Sequence, residues 1–492
     1  MVLPSYSFIF IFLPLTVLIY HFVNSKGLLT LGKIILLLSS LLFYFSLGWK
    51  GFAALLISVL VTYSLATYLL PKAKSQAAKK WILATGIILN VLCLMYCKYL
   101  TYFELLLNTY TGSSLAYTAI VVPTGISYFT FSQIAFLVDS YRDDTLKYSI
   151  LDYSLFVSFF PKITVGPIAL STEMIPQFND NARKKLNYDN MAKGFYRFTL
   201  GLSKKLLIAD NLGAFVDLGF TPANIGNLGF TNAILTVLGY TLQIYFDFSG
   251  YCDLASGICL MLGIDLCENF DSPYSSLSIR EFWKRWHITL TRFFTKYVYI
   301  PLGGNRKGKV RTYINNLLIF LISGLWHGAA THFILWGAIH GVGMIISKLI
   351  AGFTDKLPKF IRWTVTFVFV SFAWVFFRAN DVNHALSIFE QIFTGGYKPM
   401  NAEIVAASIP VEGQFIQWLI LKVNSSVTYY SGCAIILILY AIALYLAAFS
   451  KNAAYRTKNF VASKGKIITT VILFVWSILS LSSVTEFIYV NF

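Results

Sequence analysis

The chain has 492 residues, 57% of them hydrophobic and only 12% charged, with a mean hydropathy of +0.66 and a net charge of +17. Soluble domains carry about 25% charged residues, so this composition excludes a water-soluble globular protein and implies an all-α, polytopic integral membrane protein. The basic excess does not imply a nucleic-acid partner: Lys and Arg occupy short loops between apolar runs, where they mark cytoplasmic loops and meet anionic lipid head groups.

The opening MVLPSYSFIFIFLPLTVLIYHF lacks a basic leader and a small-residue cleavage site, and reads as a retained first helix. Passes follow over residues 34–49 and from residue 51. Runs 51–71, 81–97, 218–246, 312–347, 423–450 and 467–485 contain no Asp, Glu, Lys or Arg. A helix needs about 20 apolar residues to cross a bilayer, so roughly ten to thirteen membrane passes are expected, with interfacial or re-entrant helices besides. One membrane domain over residues 1–492 is the simplest division.

Basic clusters at 72–80, 183–185, 204–205, 306–311 and 451–466 punctuate these runs. The positive-inside rule puts them in the cytoplasm. The amino terminus then lies outside, and the closing FIYVNF lies at the outer surface. The run from 312 to 347 goes out and returns, which brings His327 near the outer face.

Four stretches carry chemistry. SFFPKITVGPI, residues 158–168, puts two prolines and a glycine at membrane depth, as in a kinked or re-entrant segment buried in protein. QIYFDFSGYCDLASGICLMLGID, 243–265, sets Asp247 and Asp253 in apolar surroundings. They mark a cavity wall or a broken helix, or else a water-exposed helix end. In REFWKRWHITLTRFFTKYVYIPLGGNRKGKVR, 280–311, cations alternate with aromatic rings, the pattern of an interfacial amphipathic helix. Its Lys284, Arg285, Arg292 and Lys296 would attract an anionic acyl donor such as a pyrophosphate-bearing thioester. His287 is the residue there able to exchange a proton near neutral pH.

The fourth stretch, SGLWHGAATHFILWGAIHG, holds His327, His332 and His340, half of the chain's six histidines. Gly324 and Gly328 flank His327 in a GxxxG spacing that lets helices approach closely and leaves room for a substrate chain beside the imidazole. Ionisable groups inside a membrane are functional by default, the alternative being a histidine that hydrogen-bonds across helices; the frame of Trp326 and two glycines around His327 favours function. A metal site is disfavoured: His327 and His332 sit about 140° apart around a helix, no HExxH accompanies them, and the six cysteines contain no CxxC pair.

Taken together with FIFIFLPLTVLIY, PTGISYFTFSQIAFLVDSYR, FPKITVGPI, EFWKRWHITLTRFFTKYVYIPLGGNR, WVFFRA and the closing FIYVNF, these stretches resemble the membrane-bound O-acyltransferase superfamily, in its alginate O-acetyltransferase branch. The resemblance implies a helical shell with a central tunnel, in the inner or plasma membrane. It implies transfer of an acyl group, most simply acetyl, from a cytoplasmic thioester donor (acetyl-coenzyme A or an acyl carrier protein) across the membrane for O-acetylation of an extracytoplasmic polysaccharide. No bound cofactor or metal is implied. The partner it implies is a secreted or membrane-anchored SGNH-type acetyltransferase or esterase.

The family's two characteristic histidines map onto His287 in KRWHITL and His327 in LWHGA, with His327 the catalyst and His332 and His340 packing or cavity-lining residues. Tyr489 in FIYVNF maps onto a transient acyl carrier. Lys162 and Val165 depart from the family pattern, which leaves the tunnel's shape open but not the class. The alternatives are D-alanyl transfer toward teichoic acid, acylation of a lipid or protein, and, from a different class, a polytopic transporter or lipid translocase.

Overall fold

The computed structural model describes residues 2–113, 122–143, 147–423, 427–483 and 488, and every regular element among them is a helix. In chain order the principal helices are α1 (Phe8–Ser25), α2 (Leu29–Phe45), α3 (Trp49–Lys72), the 36-residue α4 (Gln76–Thr111), α5 (Ile126–Arg142), α6 (Ile150–Ser158), α7 (Ser171–Asn179), α8 (Tyr188–Ser203), α9 (Asp210–Gly219) and the 33-residue α10 (Gly229–Met261). Then come α11 (Ile279–Arg285), α12 (Ile288–Phe294), α13 (Gly308–His327), α14 (Thr331–Leu349), α15 (Lys359–Arg378), α16 (Val382–Phe393), α17 (Val411–Val423), α18 (Thr428–Ala448) and α19 (Lys464–Leu479).

Six of these among the described residues, α1, α3, α4, α14, α15 and α18, are long and apolar enough to cross a bilayer. The sequence count of ten to thirteen also took in helices whose polar side chains serve the interior. The 33-residue α10 carries Asp247 and Asp253 and is buried along almost its whole length, so other helices sheathe it from lipid. The 20-residue α13 opens on Lys309 and Arg311 before turning apolar.

Local chemistry starts several helices. Ser75, Ser149 and Ser278 accept the backbone N–H of Ala78, Asp152 and Glu281, and Asn187 accepts those of Asp189 and Asn190, satisfying amides that the first turn leaves open.

Two antiparallel pairs hold the interior together through glycine. In α8 and α10, a Cβ added at Gly194 would lie 2.6 Å from the Gly257 carbonyl oxygen, and one at Gly201 2.7 Å from that of Gly250. In α13 and α14, a Cβ at Gly324 would lie 2.3 Å from the Phe333 carbonyl oxygen, and one at Gly337 the same distance from that of Phe320. Small residues let these backbones touch, which is how helices associate where no hydrophobic gain separates lipid from protein.

Between α6 and α7 the backbone leaves helical geometry over residues 159–170, all of them buried. This is the buried, irregular segment expected from its prolines, enclosed by protein as irregular backbone at membrane depth must be. Gly125, at φ +77°, touches it so closely that a Cβ would sit 2.1 Å from the Ile163 carbonyl oxygen. Lys162 is buried within it, its Nζ 4.6 Å from the centroid of the Phe156 ring.

Two readings of the basic residues change. Lys204 and Lys205 belong to no loop: they open a turn wound wider than an α-helix at residues 204–209 and point inward. Lys205 bridges Asp247 (2.8 Å) and Asp210 (2.9 Å), and Lys204 pairs with Asp253 (2.6 Å), which also binds Arg197 (3.1 Å). Asp247 and Asp253 are therefore interior anchors and not a wet helix end.

The stretch 280–311 is likewise no single interfacial helix. It is two short helices broken at Trp286 and His287, with Phe282, Trp283, Trp286, Phe293 and Phe294 in the core. Arg285, Arg292 and Lys296 pair with Glu281, Glu173 and Asp139, so three of the four cations expected to attract a donor already hold carboxylates, and Lys284 is the exposed one.

Candidate active site

α13 ends at His327, where Gly328 turns to extended backbone. A helix end leaves its last carbonyls without intrahelical partners. Two adjacent residues of α4 supply them. Tyr99 Oη donates to the carbonyl oxygen of Leu325 (2.6 Å) and Trp326 (3.2 Å), and Lys98 Nζ donates to that of Trp326 (2.6 Å). Lys98 Nζ thus sits at the negative end of the α13 dipole, where positive charge is favoured. It also lies 5.7 Å from the centroid of the Trp326 ring.

The imidazole of His327 is buried among aromatic rings, with centroids 4.5 Å from Trp326, 5.2 Å from Trp336 and 4.9 Å from Phe377. The glycines beside it do not themselves supply the room expected for a substrate chain. Phe333 fills the space at Gly328, its ring 2.3 Å from where a Cβ would be, and the α14 backbone fills that at Gly324. These glycines serve helix contact.

His287 caps α12 in the left-handed region, at φ +44° and ψ +53°. A non-glycine residue there costs on the order of 1–3 kcal/mol and persists only when its surroundings fix it. Asn269 does so. Its Oδ1 accepts the N–H of Thr289 (3.2 Å) and the Thr289 hydroxyl (2.9 Å), and its backbone carbonyl accepts the N–H of Ile288 (3.0 Å). Since Oδ1 is thereby the acceptor, the His287 Nδ1 at 3.1 Å donates to it, and Nε2 is the nitrogen that accepts. The Phe248 ring packs against the imidazole at 4.9 Å. Thr289 Oγ1 in turn accepts the N–H of Ile168, tying His287 to the irregular segment between α6 and α7.

The two histidines meet at one side chain. Trp326 lies 4.5 Å from His327 and 6.3 Å from His287, centroid to centroid. His340 and His332 stand apart from this pair. His340 accepts the Trp283 indole N–H (3.2 Å) within a box of aromatic rings, and His332 donates Nδ1–H to the Phe376 carbonyl (2.9 Å). Tyr489 lies outside the described residues. Its neighbour Ile488 donates its N–H to Asp247 Oδ2 (2.9 Å), one residue along α10 from the Phe248 that packs on His287. Among the described residues no group of three His, Cys, Asp or Glu side chains is placed to hold a metal.

A small cavity of about 10 Å³, room for about one water, lies between Tyr245, Ser249, Cys252 and Asn269, beside the Arg197–Asp253–Lys204 ion pairs. It reaches the residue that orients His287 from the side of Asn452 and Ala453. His327 does not line it.

The family model for membrane-bound O-acyltransferases matches residues 41–389, which include His287 and His327. The chain belongs to the membrane-bound O-acyltransferase family. It is an acyltransferase and a multi-pass membrane protein. It is 41% identical over 411 residues to a peptidoglycan O-acetyltransferase of Helicobacter pylori, covering 77% of each chain. It is 35% identical over 407 residues to a probable alginate O-acetylase, AlgI, of Pseudomonas aeruginosa, covering 80% of this chain and 75% of that one. A teichoic acid D-alanyltransferase of Bacillus subtilis is 30% identical over 278 residues, covering 53% of this chain and 69% of the relative. Family membership removes the transporter alternative.

Reasoning from sequence singled out both histidines of this acyltransferase but missed Asn269, Lys98 and Tyr99. Lys98 left a trace, as the charge that ends the apolar run 81–97. Asn269 left none, because only the fold brings it to His287.

Proposed function

We propose that this acyltransferase moves an acetyl group from a thioester donor on the cytoplasmic side to hydroxyl groups of an extracytoplasmic polysaccharide, with His327 as general base. A charged donor crosses hydrocarbon only at great cost, so a passage through the protein that admits the acyl-thioester end while the donor's charged part stays in the cytoplasm meets the physical requirement. His327 takes the proton of the attacking hydroxyl as its oxygen adds to the thioester carbon. The carbon–sulfur bond then breaks, and the proton goes to the departing thiolate. Nε2 of His287, presented by Asn269, is a second proton acceptor on the opposite contact of Trp326.

The observation that carries this reading is the convergence of His287 and His327 on Trp326 at the capped end of α13. The names of the peptidoglycan and alginate relatives support acetyl as the group and a polysaccharide as the acceptor. In this reading Tyr489 is a transient carrier that takes the acetyl group before the final sugar. The anchoring of Ile488 on Asp247, next to Phe248, supports it. A secreted or membrane-anchored SGNH-type enzyme then completes delivery.

The test is acyl transfer in vesicles that hold the purified protein, with labelled acetyl-coenzyme A on one side and the polysaccharide with the SGNH-type partner on the other. A mass spectrum of the group released from the polysaccharide by mild base reads acetate if the proposal holds. D-alanine, or no label on the polysaccharide, refutes it.

A further inference from the structure

A cleft of about 540 Å³ opens between α8, α18 and α19, away from the histidines. Its walls are mostly Leu and Ile side chains, Ile442 among them, with Trp476 beside them and Ser203, Lys204, Asn211 and Tyr245 on the side of α8 to α10. Its mouth is Ser450, Lys451, Asn452 and Arg456, at the cytoplasmic end of α18 as the charge pattern orients it.

The mouth is built for an anion. Residues 450–485 contain Lys451, Arg456, Lys458, Lys464 and Lys466 and no Asp or Glu. The Arg456 guanidinium is held by Nε to the Lys451 carbonyl (3.0 Å) and by Nη2 to the Ser450 hydroxyl (2.8 Å), and Nη1 has no partner among the described residues. A fixed guanidinium with open donors suits a phosphate. Lys451 is exposed beside it, over the Tyr455 ring at 5.0 Å. Of the nearby carboxylates, Asp271 is taken up by Asn452 (3.1 Å) and faces Arg285 (3.8 Å), and Asp253 and Glu268 are held by Arg197 and Lys204.

The cleft's length also selects its occupant. From Ile435 to Leu446 it follows α18 for about 16 Å at 1.5 Å per residue, and one leaflet of hydrocarbon is about 15 Å deep. We infer that this cleft binds one anionic phospholipid of the cytoplasmic leaflet, with its phosphate on Arg456 and Lys451 and an acyl chain along α18. A pantetheine-type donor also joins phosphate to a chain, but its amides would lie along the Ile and Leu side chains of α18 and lose their hydrogen bonds with water there. A lipid chain has no such groups. Bound there, the lipid packs between α8, α18 and α19.

Native mass spectrometry of the full chain tests this after exchange into detergent with equal phosphatidylglycerol and phosphatidylcholine. The expected result is one phosphatidylglycerol retained per chain. Retention falls about tenfold in Lys451→Glu/Arg456→Glu and in Ile442→Trp, which fills the cleft while keeping its charges. It is unchanged in Lys307→Glu/Lys309→Glu, which alters another basic loop. Equal retention of the two lipids, or equal loss in the control, overturns the proposal. Displacement of the phosphatidylglycerol by acetyl-coenzyme A also overturns it, by giving the cleft to the donor.

Discussion

Lys98 Nζ lies 2.6 Å from the carbonyl oxygen of Trp326, one residue before His327, so a lysine in the long α4 holds the end of the helix that carries the proposed base. Displacing a reacting group by about 1 Å can cost 10²-fold in rate. Lys98→Met is therefore expected to lower the rate of acetyl transfer by about 10²-fold, while Lys98→Arg, which can donate to the same carbonyl, keeps most of it. Initial rates in vesicles at matched protein amounts check this.

Asn269 fixes the tautomer of His287 through an oxygen it shares with Thr289. Asn269→Leu removes that acceptor and frees the ring to take either tautomer. General acid–base groups contribute about 10²–10⁴-fold. The expected outcome is a lower turnover rate with an unchanged Michaelis constant for the donor. A rise in that constant with turnover intact would assign Asn269 to donor binding.

Lys205 pairs with both Asp247 and Asp210 in the interior. Lys205→Met leaves buried carboxylates without their cation, which typically costs about 3–5 kcal/mol. Adding Asp247→Asn removes one of the stranded charges and is expected to restore part of the loss. Thermal unfolding in detergent, with the two single variants and the double, measures the coupling.

A Cβ at Gly337 would lie 2.3 Å from the Phe320 carbonyl oxygen, whereas one at Gly352 meets nothing within 4 Å. Gly337→Ala is expected to force α13 and α14 apart and lower the melting temperature, with an overpacking cost of about 1–3 kcal/mol. Gly352→Ala leaves it unchanged.

The helical membrane architecture was legible because its signals are local: apolar runs, glycines one turn apart, prolines at membrane depth. The same holds for His327, which stands out as an imidazole in apolar surroundings. What escaped were pairings between distant residues. Lys204 and Lys205 look like a loop's basic residues until α10 brings Asp253 and Asp247 against them, 49 and 42 positions away. The room expected beside Gly324 and Gly328 was misjudged for a related reason. A GxxxG spacing reports that something comes close, and here that neighbour is Phe333 and the backbone of α14. The ion pairs of Arg292 and Lys296 escaped for the same reason, because their carboxylates lie on other elements, Glu173 in α7 and Asp139 in α5.

The most direct test of His327 as the base is transfer of labelled acetyl to polysaccharide by His327→Ala, at membrane abundance and melting temperature equal to those of the unaltered protein. Loss of transfer to the level of vesicles without protein is the expected result. Transfer at an unreduced rate in that folded variant would contradict the assignment.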